Sequence, residues 1–180
     1  MHHRLLALCA LALHLSLQLT LAHAQPNERL QALRQQDGAD RTNSRGKPWD
    51  PAVTARDAQR VAAVREELKA GRLRDARDFY AAALILQHGE TPDDFRLANA
   101  MAWLAYTLAD DPDTVPAREA GWLYAASWDR LLISLGSRQW YGTQRHRDPA
   151  THQPGDALPT DDGAASPRDK DRFSGPRYSY

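Results

Sequence analysis

The sequence predicts an all-α protein, a compact bundle of about four helices with helical-hairpin or repeat-like packing. Apolar residues recur at intervals of three and four between residues 49 and 144, and Gly and Pro divide this region into four segments. No segment keeps the period-two alternation of a half-buried strand, so we expect no sheet. Alanines are frequent at the expected contacts, where small side chains let helices approach closely.

The first of the four helices begins at Asp50-Pro51, where a capping residue precedes a proline suited to the first helical position. Apolar residues follow at helical spacing as far as Leu68. Gly71 then provides a stop signal, because glycine readily adopts the backbone conformation that ends a helix.

The second helix is predicted from about Asp75 to His88, with Gly89 as its C-terminal signal. From Phe79 to Leu86 it is apolar on every side. A helix without a polar face has no surface to turn to solvent, so we expect it at the centre of the bundle.

The third helix begins at Thr91-Pro92-Asp93-Asp94, which combines a hydroxyl cap, a first-turn proline and acids favoured by the helix dipole. Asp110-Asp111-Pro112 is expected to close it. The fourth helix spans about Ala117–Leu135 and ends before Gly136. The inner stripe of the third helix is predicted to consist of Ala98, Met101, Ala102, Ala105 and Leu108.

Residues 1–24 have the three parts of a secretory signal peptide. A basic head, Met1–Arg4, precedes the apolar run Leu5–Leu21, and Ala22-His23-Ala24 supplies an A-x-A cleavage site before Gln25. The alternative is a membrane anchor, but four polar residues interrupt the run, whereas a spanning helix needs about 20 mostly apolar residues. We therefore expect cleavage and export to a bacterial periplasm or medium, with no stable membrane anchor afterwards.

Composition excludes several classes of function for the mature chain. The only cysteine, Cys9, lies within the signal, so disulfides, thiol nucleophiles and thiolate ligands are excluded. Loss of Arg4 leaves 22 basic residues against 23 acidic ones, without the basic run that would indicate nucleic acid. His88, His146 and His152 do not form a closely spaced ligand set, so we expect no metal and no cofactor.

Two flanking segments were expected to lie outside the helical domain of residues 49–144. Residues 25–48 are polar, with one short helix predicted over Glu28–Gln36. Residues 145–180 are rich in proline and balanced in charge. Their apolar content is too low to offset the entropy lost on ordering, which predicts a disordered tail.

A few polar residues interrupt the apolar segments and indicate either a structural network or a site. In the fourth helix, Trp122, Ala125, Asp129 and Leu132 are spaced so that Asp129 lies on the apolar face. A carboxylate there must be hydrogen-bonded, paired or protonated. Its neighbour Arg130 points about 100° away and needs another partner.

His88 follows the most apolar helix, and we expect it to contact Asp129. Gln87 adds an amide beside it. The segment Gln139–Gln144 supplies further polar groups around Gly142, where backbone can approach a ligand or another helix closely. The candidate catalytic residues are His88 and Asp129. The candidate binding residues are Gln87, His88, Asp129, Arg130, Gln139, Tyr141 and Gln144.

At these residues the chain resembles an uncharacterised bacterial family of helical domains. That family's pattern has an Asp-Arg pair, an Asp-x-x-Arg at a helix start, an Ala-Ala-x-Ile-x-Gln-His-Gly helix, an Asp-Arg-x-Leu helix and a closing Gln-x-Tyr-Gly-Thr-Gln. The matching positions cover roughly residues 40–144: Asp40-Arg41, Asp57 with Arg60, Ala82–Gly89, Ala126–Leu132 and Gln139–Gln144. The resemblance implies an all-helical domain and implies no activity.

The sequence favours one function and leaves two alternatives open. The first is a binding domain for a small molecule or a protein, with a polar pocket between the second and fourth helices around His88 and Asp129. The second is a hydrolase or lyase with His88 as general base, Asp129 holding its tautomer, and Tyr141 or Thr143 as the nearest hydroxyl. The third is a structural network that locks helix ends and the closing loop.

Overall fold

The computed structural model describes residues 26–44, 47, 50–109, 115–147 and 154–173. It confirms the all-α fold class. The described residues form six helices and one two-stranded sheet: α1 Glu28–Ser44, α2 Pro51–Lys69, α3 Ala76–Leu86, α4 Pro92–Thr107, α5 Val115–Ser134, β1 Arg145–Arg147, β2 Pro154–Ala157 and α6 Pro167–Arg172. Residues 1–24, the predicted signal peptide, lie outside the described residues.

Helix α3 is the central helix, as its apolar character predicts. Residues Ala81–Leu86 are all buried, and α3 packs against α1, α2 and α4. The core around it contains Leu30 of α1, Val64 of α2 and Leu123 of α5. Helices α4 and α5 form an extensive antiparallel pair beside it. None of the described helices is both long and apolar enough to cross a membrane.

The predicted helix boundaries are largely confirmed by cap geometry. Asp50 accepts a hydrogen bond from the Ala52 N–H at 2.9 Å. The Thr91 hydroxyl and the Asp94 carboxylate form a reciprocal capping box at the start of α4. After α5, Gly136 has φ of 76°, a left-handed conformation that glycine adopts without a steric penalty.

Gly89 has a different role from the predicted stop signal. Helix α3 ends at Leu86, and Gly89 does not have a positive φ. Instead, a Cβ at this position would lie 2.5 Å from the Cβ and Cγ of Asp94. Glycine is therefore required because the capping side chain of the next helix packs directly against this turn.

Helix α1 is much longer than the predicted Glu28–Gln36 and belongs to the packed bundle. Leu30 is fully buried in the core, and the N–H of the preceding Asn27 donates to the buried Asp78 at 2.7 Å. The second half of α1 has almost no apolar residues. Its charged residues are instead paired with α2, and pairing leaves no trace in hydrophobic periodicity.

The end of α2 is fastened to the start of α1 through Glu67. This carboxylate is 2% exposed and receives two hydrogen bonds from Arg72, at 2.6 and 2.9 Å. The Asn27 amide and the Arg29 guanidinium also donate to it, at 2.7 and 2.9 Å. The Arg72 hydrogen bonds are the main reason why the pKa of Glu67 falls to about 2.

The predicted inner stripe of α4 is correct for its first four members. Ala98, Met101, Ala102 and Ala105 are buried. Leu108 is the exception at 50% exposure, because it follows the last residue of α4 and lies beyond the contact with α5.

The segment predicted as a disordered tail is ordered where the structure describes it. Strands β1 and β2 pair antiparallel, and Gln139 forms an isolated backbone bridge with Thr160. Helix α6 is followed directly by Phe173, whose side chain is buried. The paired strands also correct the expectation that there is no sheet. The order comes from a few side-chain anchors rather than from an amphipathic pattern, so composition gave no sign of it.

Candidate functional site

Two polar networks meet near the C-terminal end of α3. The ionic network joins α1, α2 and His88, and the loop network joins α5 to the segment that follows it. The ionic network consists of Asp37, Asp40, Arg41, Arg56, Asp57, Arg60 and His88. The loop network consists of Asp129, Arg130, Gln139, Thr143 and Gln144.

Arg60 is the centre of the ionic network, with a side chain that is only 4% exposed. It donates to Asp57 at 2.5 Å and to Asp40 at 2.8 Å. Arg41 donates to the other oxygen of Asp57 at 2.6 Å and to Asp37 at 3.3 Å. Buried charges are tolerated only with such partners, because desolvation otherwise costs several kcal/mol per ion, on the order of 3–5 when one partner is removed.

The network is balanced in charge. Arg56, which is partly exposed, makes two hydrogen bonds to Asp40 at 2.9 and 2.8 Å. Three guanidinium groups therefore face three carboxylates. The balance explains how this many charges can sit beside an apolar core.

His88 lies in the ionic network, and its predicted contact with Asp129 is wrong. Its Nδ1 is 2.9 Å from Asp37 Oδ1. Asp129 instead receives four hydrogen bonds from residues 140–143. The error has a simple cause: Asp37 is 51 residues away from His88 in a stretch whose helix was not predicted.

The protonation states follow from the surroundings. Burial is the largest influence on the pKa of His88 and lowers it, and the nearby charges of Arg41 and Arg130 act in the same direction. Together they outweigh the contact with Asp37, which by itself would raise that pKa. Burial alone would raise the pKa of Asp37, but the His88 hydrogen bond and the two nearby arginines, Arg41 and Arg60, outweigh it and lower that pKa. At neutral pH the pair is an ionised Asp37 that accepts from Nδ1–H of a neutral imidazole.

Asp129 anchors the loop after α5. It is completely buried, and its Oδ1 accepts from the N–H groups of Trp140 and Tyr141 at 2.7 and 3.0 Å. Its Oδ2 accepts from the N–H and the hydroxyl of Thr143 at 2.9 and 2.8 Å. The prediction that a carboxylate on this apolar face must be hydrogen-bonded is confirmed.

Gln139 and Gln144 extend the loop network. The fully buried Gln139 side chain donates to the carbonyls of Gln144 and Leu158 at 3.1 and 2.6 Å, and it accepts from the Gln144 N–H at 2.8 Å. The Gln144 amide donates to the Ala126 carbonyl at 3.1 Å. These side-chain amides replace missing backbone partners and connect Gln139, Gln144 and Leu158 to α5.

Arg130 connects the loop network to α3. Its guanidinium donates to the main-chain carbonyl of Gln87 and lies 3.4 Å from Gln144 Oε1. The guanidinium also lies over the ring of Phe95, with the Arg130 Cζ 5.9 Å from the ring centroid. The prediction that Gln87 and Arg130 belong to one site is therefore correct. The atom of Gln87 that contacts Arg130 is its main-chain carbonyl oxygen, however, and not the side-chain amide.

Tyr141 belongs to a cluster of aromatic rings. Its ring centroid lies 6.4 Å from that of Tyr124 and 6.0 Å from that of Phe173. Burial is the main cause that raises the pKa of Tyr141 to about 12. Such a phenol stays protonated at neutral pH, which does not suit the nucleophile considered from the sequence.

A cavity of about 310 Å³ opens between α1, α3 and α5, beside the ionic network. The sequence predicts a pocket between the second and fourth helices around His88 and Asp129; this cavity also lies against α1 and is lined by neither of those two residues. The cavity is lined by Arg34, Gln35, Asp37, Gly38, Tyr80, Leu84 and Glu119.

Asp37 lines that cavity, and one of its two carboxylate oxygens makes no polar contact with a described residue. Hydrogen bonds and ion pairs to described residues all involve Oδ1, and none involves Oδ2. Oδ2 has no hydrogen-bond partner among the described residues. It is nevertheless not completely enclosed, although the side chain as a whole is only 2% exposed. A molecule held in the cavity that Asp37 lines could supply the missing partner.

The fold also brings together three possible metal ligands that the sequence did not indicate. One ligand atom each from Asp37, Asp57 and His88 lies within 4.8 Å of the others. The carboxylates are already paired with Arg41 and Arg60, however. A divalent cation would have to displace guanidinium groups held in a balanced network, so this donor set does not suit a metal.

The residues that sequence reasoning missed are those of α1 and α2, above all Asp37. A signal was present, because Asp37 and Arg41 are four residues apart and so share a helix face. The matching positions of the family resemblance also include Arg41, Asp57 and Arg60, and the structure brings these three together with His88. Periodicity could not reveal this, since none of them is apolar.

No family model, curated protein or solved structure matches this chain. The family resemblance drawn from the motifs therefore stays a prediction.

Proposed function

We propose that this is an exported helical binding protein that holds a small polar molecule in the cavity between α1, α3 and α5. The observation that carries the proposal is Asp37. It is a buried carboxylate that lines the cavity, with one oxygen fixed by His88 and Arg41 and the other without a described protein partner. A polar group that is oriented by the protein but left without a protein partner is a typical feature of a ligand site.

The two networks give this site a rigid frame. The ionic network fixes Asp37 and Gly38 of α1, and Tyr80 and Leu84 come from the central helix α3. Groups held in place before binding lose less entropy when the ligand arrives. This rigidity supports a role in binding rather than a role in large conformational change.

The proposal is tested by a binding screen with a variant that places a large side chain on Gly38, one of the residues that line the cavity. A Cβ on Gly38 would meet no atom within 4 Å, so there is space for a larger side chain beside the site. We expect Gly38→Trp to abolish binding of compounds that raise the melting temperature of the mature protein. Gly38→Ala, which adds one methyl group, should leave that binding in place.

The result that would contradict the proposal is equally clear. If compounds stabilise Gly38→Trp and the unmodified protein to the same extent, their site is elsewhere. If a broad set of amines, carboxylic acids, amides and sugars gives no saturable stabilisation, the cavity is not a site for small molecules.

A hydrolytic or lyase activity is the second candidate, and the pairing of His88 with Asp37 favours it. Asp37 holds Nδ1, and Nε2 makes no hydrogen bond to a described residue. The side chain is 15% exposed. An imidazole oriented by a carboxylate, with its second nitrogen free to accept a proton, has the arrangement of a general base. In this version Asp37 replaces Asp129 as the orienting residue.

Histidine-specific acylation with diethyl pyrocarbonate separates the two candidates. A general base should react at His88 more readily at pH 7 than the exposed His146, although His88 is mostly buried. Peptide mass mapping reads both sites in one sample. Reaction at His146 alone would leave His88 as a structural partner of Asp37 and remove the support for an enzyme.

A further inference from the structure

The charges around the cavity indicate what kind of molecule it takes, and this inference rests on the proposed binding function. The ionic network that includes Asp37 is neutral as a whole. The cavity adds one cation, Arg34, and one further anion, Glu119. Among the described residues that line the cavity, charges of both signs are therefore present.

The negative end of this arrangement is Asp37 Oδ2. Because Asp37 is ionised, this oxygen can only accept hydrogen bonds. It needs a donor, and a protonated amino group supplies a charge-assisted hydrogen bond, about twice as strong as a neutral one. A ligand carboxylate at the same point would be repelled.

The positive end is Arg34, one turn before Asp37 on the same face of α1. Its guanidinium carbon lies 5.8 Å from the centroid of the Tyr80 ring. This stacking orients the guanidinium beside the cavity, where it can donate two parallel hydrogen bonds to a carboxylate. Leu84 and the Tyr80 ring add apolar surface to the lining of the same cavity.

We propose that the cavity binds a zwitterionic molecule of the amino-acid class. Its ammonium group binds Asp37 Oδ2, its carboxylate binds Arg34, and its side chain packs against Leu84 and Tyr80. A volume of about 310 Å³ has room for such a molecule.

The test compares three probes that share one carbon skeleton. L-leucine has both charged groups, 3-methylbutylamine has only the ammonium, and 4-methylpentanoate has only the carboxylate. Binding to the mature protein is followed by NMR titration, with the amide resonances of residues 34–38 as the readout. We expect each single-charge probe to bind at least about tenfold more weakly than L-leucine, because it lacks one charge-assisted hydrogen bond.

Two variants locate the two ends of the ligand. Arg34→Gln should weaken L-leucine about tenfold and leave 3-methylbutylamine unchanged. Gly38→Trp should abolish binding of all three probes, whereas Gly38→Ala should not. These variants avoid Asp37, whose substitution would also break the ionic network and so confuse affinity with folding.

The outcomes separate this inference from the proposed function. If either single-charge probe binds as tightly as L-leucine, or if L-leucine does not bind, the zwitterion inference is overturned. If another compound from the wider screen binds the unmodified protein but not Gly38→Trp, the proposed binding function stands even though the zwitterion inference has failed. If no compound is blocked by Gly38→Trp, both fail together.

Discussion

Asp129 shows how one buried carboxylate can hold a whole loop. Four donors from residues 140–143 converge on its two oxygens, and each oxygen accepts two. The carboxylate takes the place of backbone partners that an irregular segment lacks. This contact set points to a structural role for Asp129, in place of the catalytic role considered from the sequence.

Replacing Asp129 should therefore destabilise the fold. Asp129→Asn keeps the shape but turns one acceptor into a donor that faces the N–H and hydroxyl of Thr143. We expect a loss of about 2–4 kcal/mol in the free energy of unfolding, measured by urea denaturation. Asp156→Asn, at an exposed position in β2, serves as the control and should change little. Equal stabilities of the two variants would contradict the anchoring role.

Two glycines should respond in opposite ways to the same substitution. Gly89→Ala places a methyl group 2.5 Å from Asp94 and disturbs the cap of α4, which should cost about 1–2 kcal/mol. Gly38→Ala meets open space within α1 and should be neutral or stabilising by up to about 1 kcal/mol. Denaturation midpoints of both variants check this pair, and a stabilised Gly89→Ala would refute the close contact with Asp94.

At the same scale, the sequence predicted which polar residues are buried better than it predicted their partners. The spacing around Asp129 placed it on an apolar face, and burial followed. Its partners lie in a loop whose path no periodicity describes. The partner of His88 was missed because the one local signal at Asp37, its charge pairing with Arg41 four residues on, does not say which distant residue it contacts.

At the scale of the elements, α1 differs most from its prediction. Periodicity indicated a helix only as far as Gln36, because Leu30 and Leu33 are its main apolar residues. The helix continues to Ser44 because Asp37, Asp40 and Arg41 are paired across to α2. By contrast, α3 and α4 carry their caps and apolar residues within a single segment, so their existence and order could be predicted.

The junction between α1 and α2 should make the protein sensitive to acid. The folded-state pKa of Glu67 is about 2, below its ordinary value of 4.5. A lowered pKa means that the stabilisation is present above about pH 4.5 and is lost as the pH falls towards 2. We expect Glu67→Gln to be less stable than the unmodified protein at pH 6, with a difference that shrinks at pH 2–3.

Urea unfolding at several pH values measures this difference. Glu66→Gln, on the exposed neighbouring residue, is the matched control and should follow the unmodified protein throughout. If the stability gap for Glu67→Gln stayed constant between pH 6 and pH 2, the carboxylate would not be the group responsible.

At the scale of the whole molecule, the C-terminal segment completes the α4–α5 pair. Phe173 is buried against the rings of Tyr106 and Tyr124, with centroid distances of 5.8 and 5.2 Å. Gly121 of α5 makes room for it, because a Cβ there would lie 3.2 Å from the Phe173 ring. The aromatic cluster thus joins three parts of the chain.

Truncation should reveal how much this contact contributes. A chain that ends at residue 150 loses Phe173 and the Leu158 carbonyl that Gln139 uses. We expect a loss of at least about 3 kcal/mol, the usual cost of removing one buried phenylalanine. Tryptophan emission should shift towards that of exposed indole, since Trp103 neighbours Tyr124.

A chain that ends at Phe173 is the control for that truncation, because it keeps every contact described for this segment. It should unfold at the same urea concentration as the full mature protein. If the chain ending at residue 150 also kept that midpoint, the packing of Phe173 would contribute nothing to stability.

The predicted export concerns the whole chain, and it has a direct test. When the full chain is expressed in a bacterial host, we expect a periplasmic protein whose first residue is Gln25, as determined by intact mass. The physical reason is the A-x-A site after an apolar run that is interrupted by polar residues. Retention of residues 1–24 on the isolated protein would contradict cleavage at this site.

The burial of Phe173 has a consequence for the order in which the protein can mature. Helices α4 and α5 leave the ribosome, or an export channel, well before Phe173 does. Until it arrives, the rings of Tyr106 and Tyr124 lack their apolar cover. The nascent protein therefore passes through a stage with uncovered aromatic surface, and at that stage it is the best substrate for a chaperone.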